Sequence, residues 1–240
     1  MKSFPAEFSS LLSKEGKQLL EGSHAQSGFL ATGQGRFMSA EGLIDSKKAV
    51  AVCALLEKTM SELLMPMEQA IPRSATWGMK VAYREKLPKT VRVKTAMLDH
   101  DDSPSLARAE EIGLIAMMRS KSFHAFAEAL SGYPLRKQWG LQALCYGAGD
   151  YSGPHNDHHP DEPLGRDGYT DMHLTFCNDA VEHQWLVYEK QGHLSEIRSI
   201  NTRGGVTCYR LPFWHYTTPL AGNAKARRWV LLGTFLDRWS

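Results

Sequence analysis

The sequence predicts a mainly β protein, a sandwich or jelly roll flanked by helices. Three observations predict it. Up to about residue 134, apolar residues recur at helical spacing. From about residue 141 the chain breaks into short strands separated by Gly, Pro, Asn and Asp turns. Its 240 residues, 42% hydrophobic and 22% charged, can bury a core without disulfide or metal staples.

In the first half, Phe8, Leu11, Leu12, Leu19 and Leu20 share one face of a helix that stops at Gly22. Gly33-Gln34-Gly35 lacks a third glycine and a following helix, so it reads as a turn. A second helix begins after Asp45, a good N-cap. Ala49, Cys53, Leu56, Met60, Leu63 and Leu64 form its stripe, and Pro66 ends or kinks it. The β-branched run 90–98 predicts a strand. A third helical stretch opens at Ser103-Pro104, with proline at the first helical position. It runs through Ile112, Ile115, Met118 and Phe123, breaks near Ser120 and closes at Gly132. Its Met and Phe residues are assigned to the core. Eight short strands follow, at 142–146, 151–157, 172–177, 184–188, 195–200, 206–210, 215–218 and 228–236. Tight turns between them suit a sandwich or jelly roll.

Composition narrows the function. A net charge of +2, from 28 basic and 26 acidic residues, is too small for a dedicated nucleic-acid or acidic-membrane binder. The longest apolar run, 229–236, is strand-sized, so no membrane span is expected. The opening MKSFPAEFSSLL has no continuous apolar core, so no signal peptide is expected and the location reads as cytoplasmic. Cys53, Cys145, Cys177 and Cys208 lie far apart with no C-x-x-C pair. They read as reduced, buried thiols.

The informative segment is 146–157, YGAGDYSGPHND. In a strand, residues i and i+2 share a face, so His155 and Asp157 project an imidazole and a carboxylate to one point. His215, 58 residues after Asp157, offers a third ligand from another strand. Two imidazoles and one carboxylate on one side of an iron leave positions open, as in non-haem Fe(II) oxygenases. Arg227 and Arg228 then open an apolar strand. A buried arginine there needs an anion, and the distal carboxylate of 2-oxoglutarate is one. Arg227 shares a face with the bulky Trp229 and Arg228 with Val230, so alternation favours Arg228. A second His-x-Asp, His100-Asp101-Asp102, could pair with His155 and Arg166. It is set aside because Arg166 sits in a polar turn with no strand to bury it. His158 and His159 read as solvated loop residues. For His173, pocket and core placements both remain open.

These residues resemble the 2-oxoglutarate/Fe(II)-dependent dioxygenase superfamily, and more closely its prolyl-hydroxylase-like branch. There, too, a Tyr-x-Gly-x-Gly-like stretch leads to a tyrosine just before His-x-Asp, and a Gly/Asp/Arg loop follows. Tyr146, Tyr151 and the loop 161–168 fit that pattern. Arg228, 13 residues after His215, is further along than is usual in the branch. The resemblance covers about 141–237 and not the helical first half.

The resemblance implies a double-stranded β-helix (jelly roll) core at 141–240. Residues 1–140 form a mostly helical flank with one or more sheet-extending strands, all in one domain. It implies Fe(II) held by His155, Asp157 and His215, 2-oxoglutarate held by Arg228 and Tyr146, and no catalytic group beyond the metal centre. Decarboxylation of 2-oxoglutarate to succinate would be coupled to oxidation, as a hydroxylation, of a small-molecule or peptide substrate. Two alternatives are a cupin-like, non-oxidative metal enzyme and a non-enzymatic module that binds metal or 2-oxoglutarate. The loop 161–171, rich in Asp, Pro and Gly, reads as a mobile lid beside the metal ligands.

Overall fold

In a computed structural model, residues 1–22, 36–71, 89–99, 103–132, 134–157 and 169–237 are described. Helix boundaries follow local chemistry. Ser13 accepts the Gly16 amide and starts α1 (Lys14–Leu20), which Gly22 ends at a φ of 75°. Residues Phe8–Leu11 form a separate 3₁₀ turn, so the helix predicted through residues 8–20 is split where Ser13 caps. Asp45 accepts the Lys48 amide and starts α2 (Ser46–Met60). Ser103, with Pro104 behind it, starts α3 (Pro104–Glu111). Gly113, at a φ of 77°, separates it from α4 (Leu114–Met118). Ser120 caps α5 (Lys121–Ser131), and Gly132 closes it in the left-handed region. The single helical stretch expected over 103–132 is therefore three helices.

The strands, in chain order, are β1 (Phe37–Ala40), β2 (Met65–Ala70), β3 (Thr90–Met97), β4 (Leu135–Tyr146), β5 (Tyr151–His155), β6 (Tyr169–Cys177) and β7 (Val181–His183). They continue with β8 (Trp185–Lys190), β9 (His193–Ser199), β10 (Arg203–Arg210), β11 (His215–Thr217), β12 (Ala221–Gly222) and β13 (Arg228–Asp237). Pro66 does not stop a helix: α2 ends six residues earlier at Met60. Pro66 lies in β2, an edge strand paired only with β3 among the described strands. Such a position needs no ladder donor from proline. Strand β4 begins at Leu135, ahead of the expected 142, and its register against β13 shifts near Gly140. That irregularity hides the alternation from the sequence. The strand expected over 151–157 ends at His155.

A continuous antiparallel path runs β1-β10-β6-β13-β4-β3-β5-β11-β8-β9. Strand β3 pairs with both β4 and β5 and links a larger sheet to a smaller one. At the opposite edge, Phe37 of β1 stacks on Tyr188 of β8 at 4.3 Å and on Phe213 at 5.2 Å. The two sheets thus face each other across an interior cavity, the arrangement of a jelly roll.

The larger sheet is committed on both faces. Outside, α2 and α5 pack on β6, β10 and β4. The core there joins Phe8, Phe123 and Phe126 from the N-terminal elements to Phe176, Trp229, Leu231 and Phe235 from the strands. Phe8 and Phe123 meet edge to face at 5.3 Å. A Cβ on Gly233 would lie 2.8 Å from the Phe123 ring, so the bare glycine lets α5 approach the sheet. All four cysteines are buried and none forms a disulfide. No described helix is long and apolar enough to cross a membrane.

Phe123 joins the helical layer to the sheet with no exposed surface. Phe123→Ala should cost about 3–5 kcal/mol in urea unfolding. A loss below about 1 kcal/mol would show that the helices are dispensable decoration.

Candidate metal centre and its cavity

Strand pairing brings the two histidines together. His215 of β11 lies directly opposite His155 of β5, with ring centroids 4.4 Å apart. Each Nδ1 lies against a backbone carbonyl two residues back: His155 at 2.6 Å from Gly153 O and His215 at 2.7 Å from Phe213 O. Those carbonyls require Nδ1–H donors, which leaves each Nε2 with its lone pair outward. Asp157 lies just past the end of β5 at a φ of 54°, a left-handed conformation that Asp tolerates. This turn, and not strand alternation, directs its carboxylate back to the imidazoles. One oxygen is 2.9 Å from His155 Nε2 and the other 3.5 Å from His215 Nε2. The Tyr169 hydroxyl donates to the Asp157 carbonyl at 2.6 Å. The Tyr209 hydroxyl donates to Oδ2 at 3.3 Å.

The three ligand atoms lie within 4.8 Å of one another. Two Nε2 lone pairs and a carboxylate converging in a buried site repel unless a cation sits among them, so this donor set suits a divalent metal. Without a metal, the protonation tendencies of the two imidazoles diverge. Burial opposes the charge on Asp157, but the charge and hydrogen bond of His155, then His215 and His173, outweigh it and hold the carboxyl well below its ordinary range. Burial lowers His155, but Asp157 more than compensates and the net shift is upward. Burial, then the neighbouring His155, pulls His215 down to about 4.

The centre opens onto a cavity of about 360 Å³. Alternation along β13 points Arg228, Val230, Leu232 and Thr234 into it, whereas Trp229, Leu231 and Phe235 join the helix-packed core. Arg228 is 4% exposed. Its Nε donates to the Ile200 carbonyl at 3.0 Å and its Nη1 to Gln184 Oε1 at 3.1 Å. Its guanidinium carbon lies 5.0 Å from the centre of the Tyr146 ring, and Tyr146 is its cross-strand partner. No carboxylate among the described residues pairs with it. Arg227 turns to the other face, where its Nη1 donates to the Ala224 and Ala226 carbonyls and its Nε lies 3.8 Å from Glu57.

His155, Asp157, His215, Arg228 and Tyr146 therefore line one cavity. His173 does too, with Nε2 3.0 Å from the Tyr209 hydroxyl, which resolves its placement. The residues His100, Asp101, Asp102, His158, His159 and Arg166, Gly33-Gln34-Gly35, and 161–168 of the expected lid lie outside the described residues.

Sequence reasoning missed three further groups. Gln184 is fully buried, and its amide donates to the Asp150 and Thr218 carbonyls while its oxygen receives Arg228. Tyr209 touches both the carboxylate and His173. Asp171 is 3% exposed and accepts the Thr234 hydroxyl at 2.6 Å. Burial, then the nearby Asp157, pushes the Asp171 carboxyl up to about 8, against the Thr234 hydrogen bond. Tyr169, Asp171 and His173 alternate with the core residues Met172 and Leu174, a pattern that announces two polar groups facing inward. Nothing local announces Gln184 or Tyr209.

No protein-family model and no curated protein matches the chain. Solved structures do match. An oxidoreductase of the 2OG-Fe(II) oxygenase family from Burkholderia pseudomallei aligns at 11% identity over 92% of this chain and 90% of its own, with a TM-score of 0.59. The fold is that of the 2OG-Fe(II) oxygenases. The α-ketoglutarate-dependent epimerase SnoN of nogalamycin biosynthesis, in complex with Fe3+, α-ketoglutarate and nogalamycin RO, aligns at 12% identity over 93% of this chain and 84% of its own, TM-score 0.54. A prolyl-4-hydroxylase from Pseudomonas putida aligns at 13% identity over 93% and 99%, TM-score 0.49. In this 2OG-Fe(II) oxygenase fold the convergent His155, Asp157 and His215 lie between the facing sheets.

The raised Asp171 carboxyl makes stability depend on pH. The unfolded chain ionises it near 3.8 and the metal-free folded protein near 8. Its contribution is therefore full below the lower value and lost as pH rises through the higher one. Asp171→Asn removes this dependence. Relative to wild type, the melting temperature of the metal-free variant should rise between about pH 5 and about pH 8. A difference that stays constant across that range would contradict a buried, protonated Asp171.

Proposed function

We propose that the protein is an Fe(II)- and 2-oxoglutarate-dependent dioxygenase, acting as a hydroxylase on a small-molecule or peptide substrate. The observation that carries this is Arg228. It is a buried guanidinium with no carboxylate partner among the described residues, facing the cavity that holds two imidazoles and a carboxylate. A buried cation so placed calls for an anionic ligand, and a diacid beside a metal meets both requirements. The SnoN complex, whose metal and co-substrate share this fold, supports the same reading.

His155, Asp157 and His215 would hold the iron by Nε2, a carboxylate oxygen and Nε2. Iron with 2-oxoglutarate would supply the oxidising chemistry, with dioxygen as the oxidant: one oxygen atom would end in succinate as the diacid loses carbon dioxide, and the other in the oxidised prime substrate. The chain's own residues prepare that chemistry. The Gly153 and Phe213 carbonyls fix the tautomer of each neutral imidazole, which turns its Nε2 lone pair to the metal position. Arg228, braced by Gln184 and the Ile200 carbonyl, presents its remaining N–H groups to the distal carboxylate. Tyr146 lies against the guanidinium and offers its hydroxyl to the same anion. Val230, Leu232 and Leu186 line the cavity with apolar surface and limit water beside the reacting carbon. Four buried cysteines outside any disulfide suit a reducing compartment, which agrees with a cytoplasmic enzyme.

Asp157→Ala should lose Fe(II) in anaerobic equilibrium dialysis, and retention at the wild-type stoichiometry would refute the metal assignment. Arg228→Met should keep iron but weaken 2-oxoglutarate binding by roughly 30-fold to several-thousand-fold in calorimetry. Arg227→Met should change it little. Equal, small effects from both arginine variants would remove the 2-oxoglutarate reading and favour a cupin-like metal enzyme whose arginine binds another anion.

A further inference from the structure

The cavity is longer than the co-substrate site. Arg228 marks one end of the inward row on β13 and Thr234 the other, six residues and about 20 Å of strand apart. Thr234 lies opposite Asp171 of β6 and beside Gly140 of β4 in the sheet register. Trp139 precedes that glycine, and Tyr169 lies two residues before Asp171. The Trp139 and Tyr169 rings are 5.4 Å apart and inclined at 50°. Both line the cavity, as do Asp171 and Thr234. A five-carbon diacid anchored on Arg228 is too short to reach this far end.

We propose that this far end is the prime-substrate subsite and that Asp171 receives a protonated amine there. The assignment rests on the co-substrate reading above. Histidines apart, Arg228, Asp157 and Asp171 are the charged side chains among the described lining residues. With a divalent iron and dianionic 2-oxoglutarate in place, Arg228 and Asp157 leave no net charge at the near end. Asp171 is then the lining carboxyl whose ionised form has no salt-bridge partner among the described residues. Its Thr234 hydrogen bond fixes the carboxyl's orientation without supplying a positive charge. An ammonium group entering there relieves the cost of ionising a buried carboxyl. The two aromatic rings add faces that attract cations. A neutral or anionic substrate gains neither advantage.

The test uses the full chain loaded anaerobically with Fe(II) and 2-oxoglutarate, titrated in a calorimeter. The probes are butylamine, benzylamine and N-acetyl-lysine amide, compared with butanol and benzyl alcohol. The structure predicts that at least one amine binds about tenfold or more tighter than its neutral counterpart. Asp171→Asn, which keeps the shape and the Thr234 contact, should abolish that preference while leaving the 2-oxoglutarate affinity within about twofold of wild type. Normal 2-oxoglutarate binding without any amine preference, or a preference that survives in Asp171→Asn, overturns the Asp171 assignment alone. Failure of wild type to bind 2-oxoglutarate overturns the assignment together with the function it rests on. If Asp171→Asn does not fold, the wild-type comparison of amines with alcohols decides.

Discussion

A β-strand sends successive side chains to opposite faces, and in β13 both faces are committed. Trp229, Leu231 and Phe235 lock the strand to the helical layer, whereas Arg228, Val230, Leu232 and Thr234 line the cavity. A one-residue slip would exchange the two sets, burying a guanidinium in an apolar core and placing an indole in the cavity. The neighbouring β6 repeats the constraint, with Met172, Leu174 and Phe176 outward and Asp171 and His173 inward. Helix packing therefore does more than cover a sheet. By fixing the register of the central strands, it fixes which chemistry faces the interior.

Inside, the governing quantity is charge in a poorly solvated space. The Asp157 carboxylate stays ionised because imidazoles surround it. Asp171, buried and close to the Asp157 charge, favours its neutral form. Arg228 keeps its charge in a place where burial disfavours it, aided by Gln184 and a backbone carbonyl and by the face of Tyr146. The three sites lie along one cavity and differ in what would complete them: a divalent cation, an anion, and a positively charged group.

Much of this was legible in the residues. Caps at Asp45 and Ser103, the break near Ser120 and the glycine stop at Gly132 marked helix limits because capping is a local event. The His155, Asp157 and His215 set could be read from spacing, although Asp157 reaches the others through a left-handed turn beyond the strand. The choice between Arg227 and Arg228 followed from the size of Trp229. What escaped was non-local. Pro66 reads as a helix breaker until β3 is known to lie beside it. Strand β4 is disguised by its register shift near Gly140. Gln184 matters only because Arg228 arrives from 44 residues away, and the role of Tyr209 depends on β10 pairing with β6.

The most direct measurement of the central claim is a visible absorption titration of the anaerobic Fe(II) protein with 2-oxoglutarate. If His155, Asp157 and His215 hold iron beside an anion site built on Arg228, a new band should grow with added 2-oxoglutarate, saturate at one equivalent, and be absent from metal-free protein. A spectrum that 2-oxoglutarate leaves unchanged, in protein shown to carry one Fe(II), would contradict it.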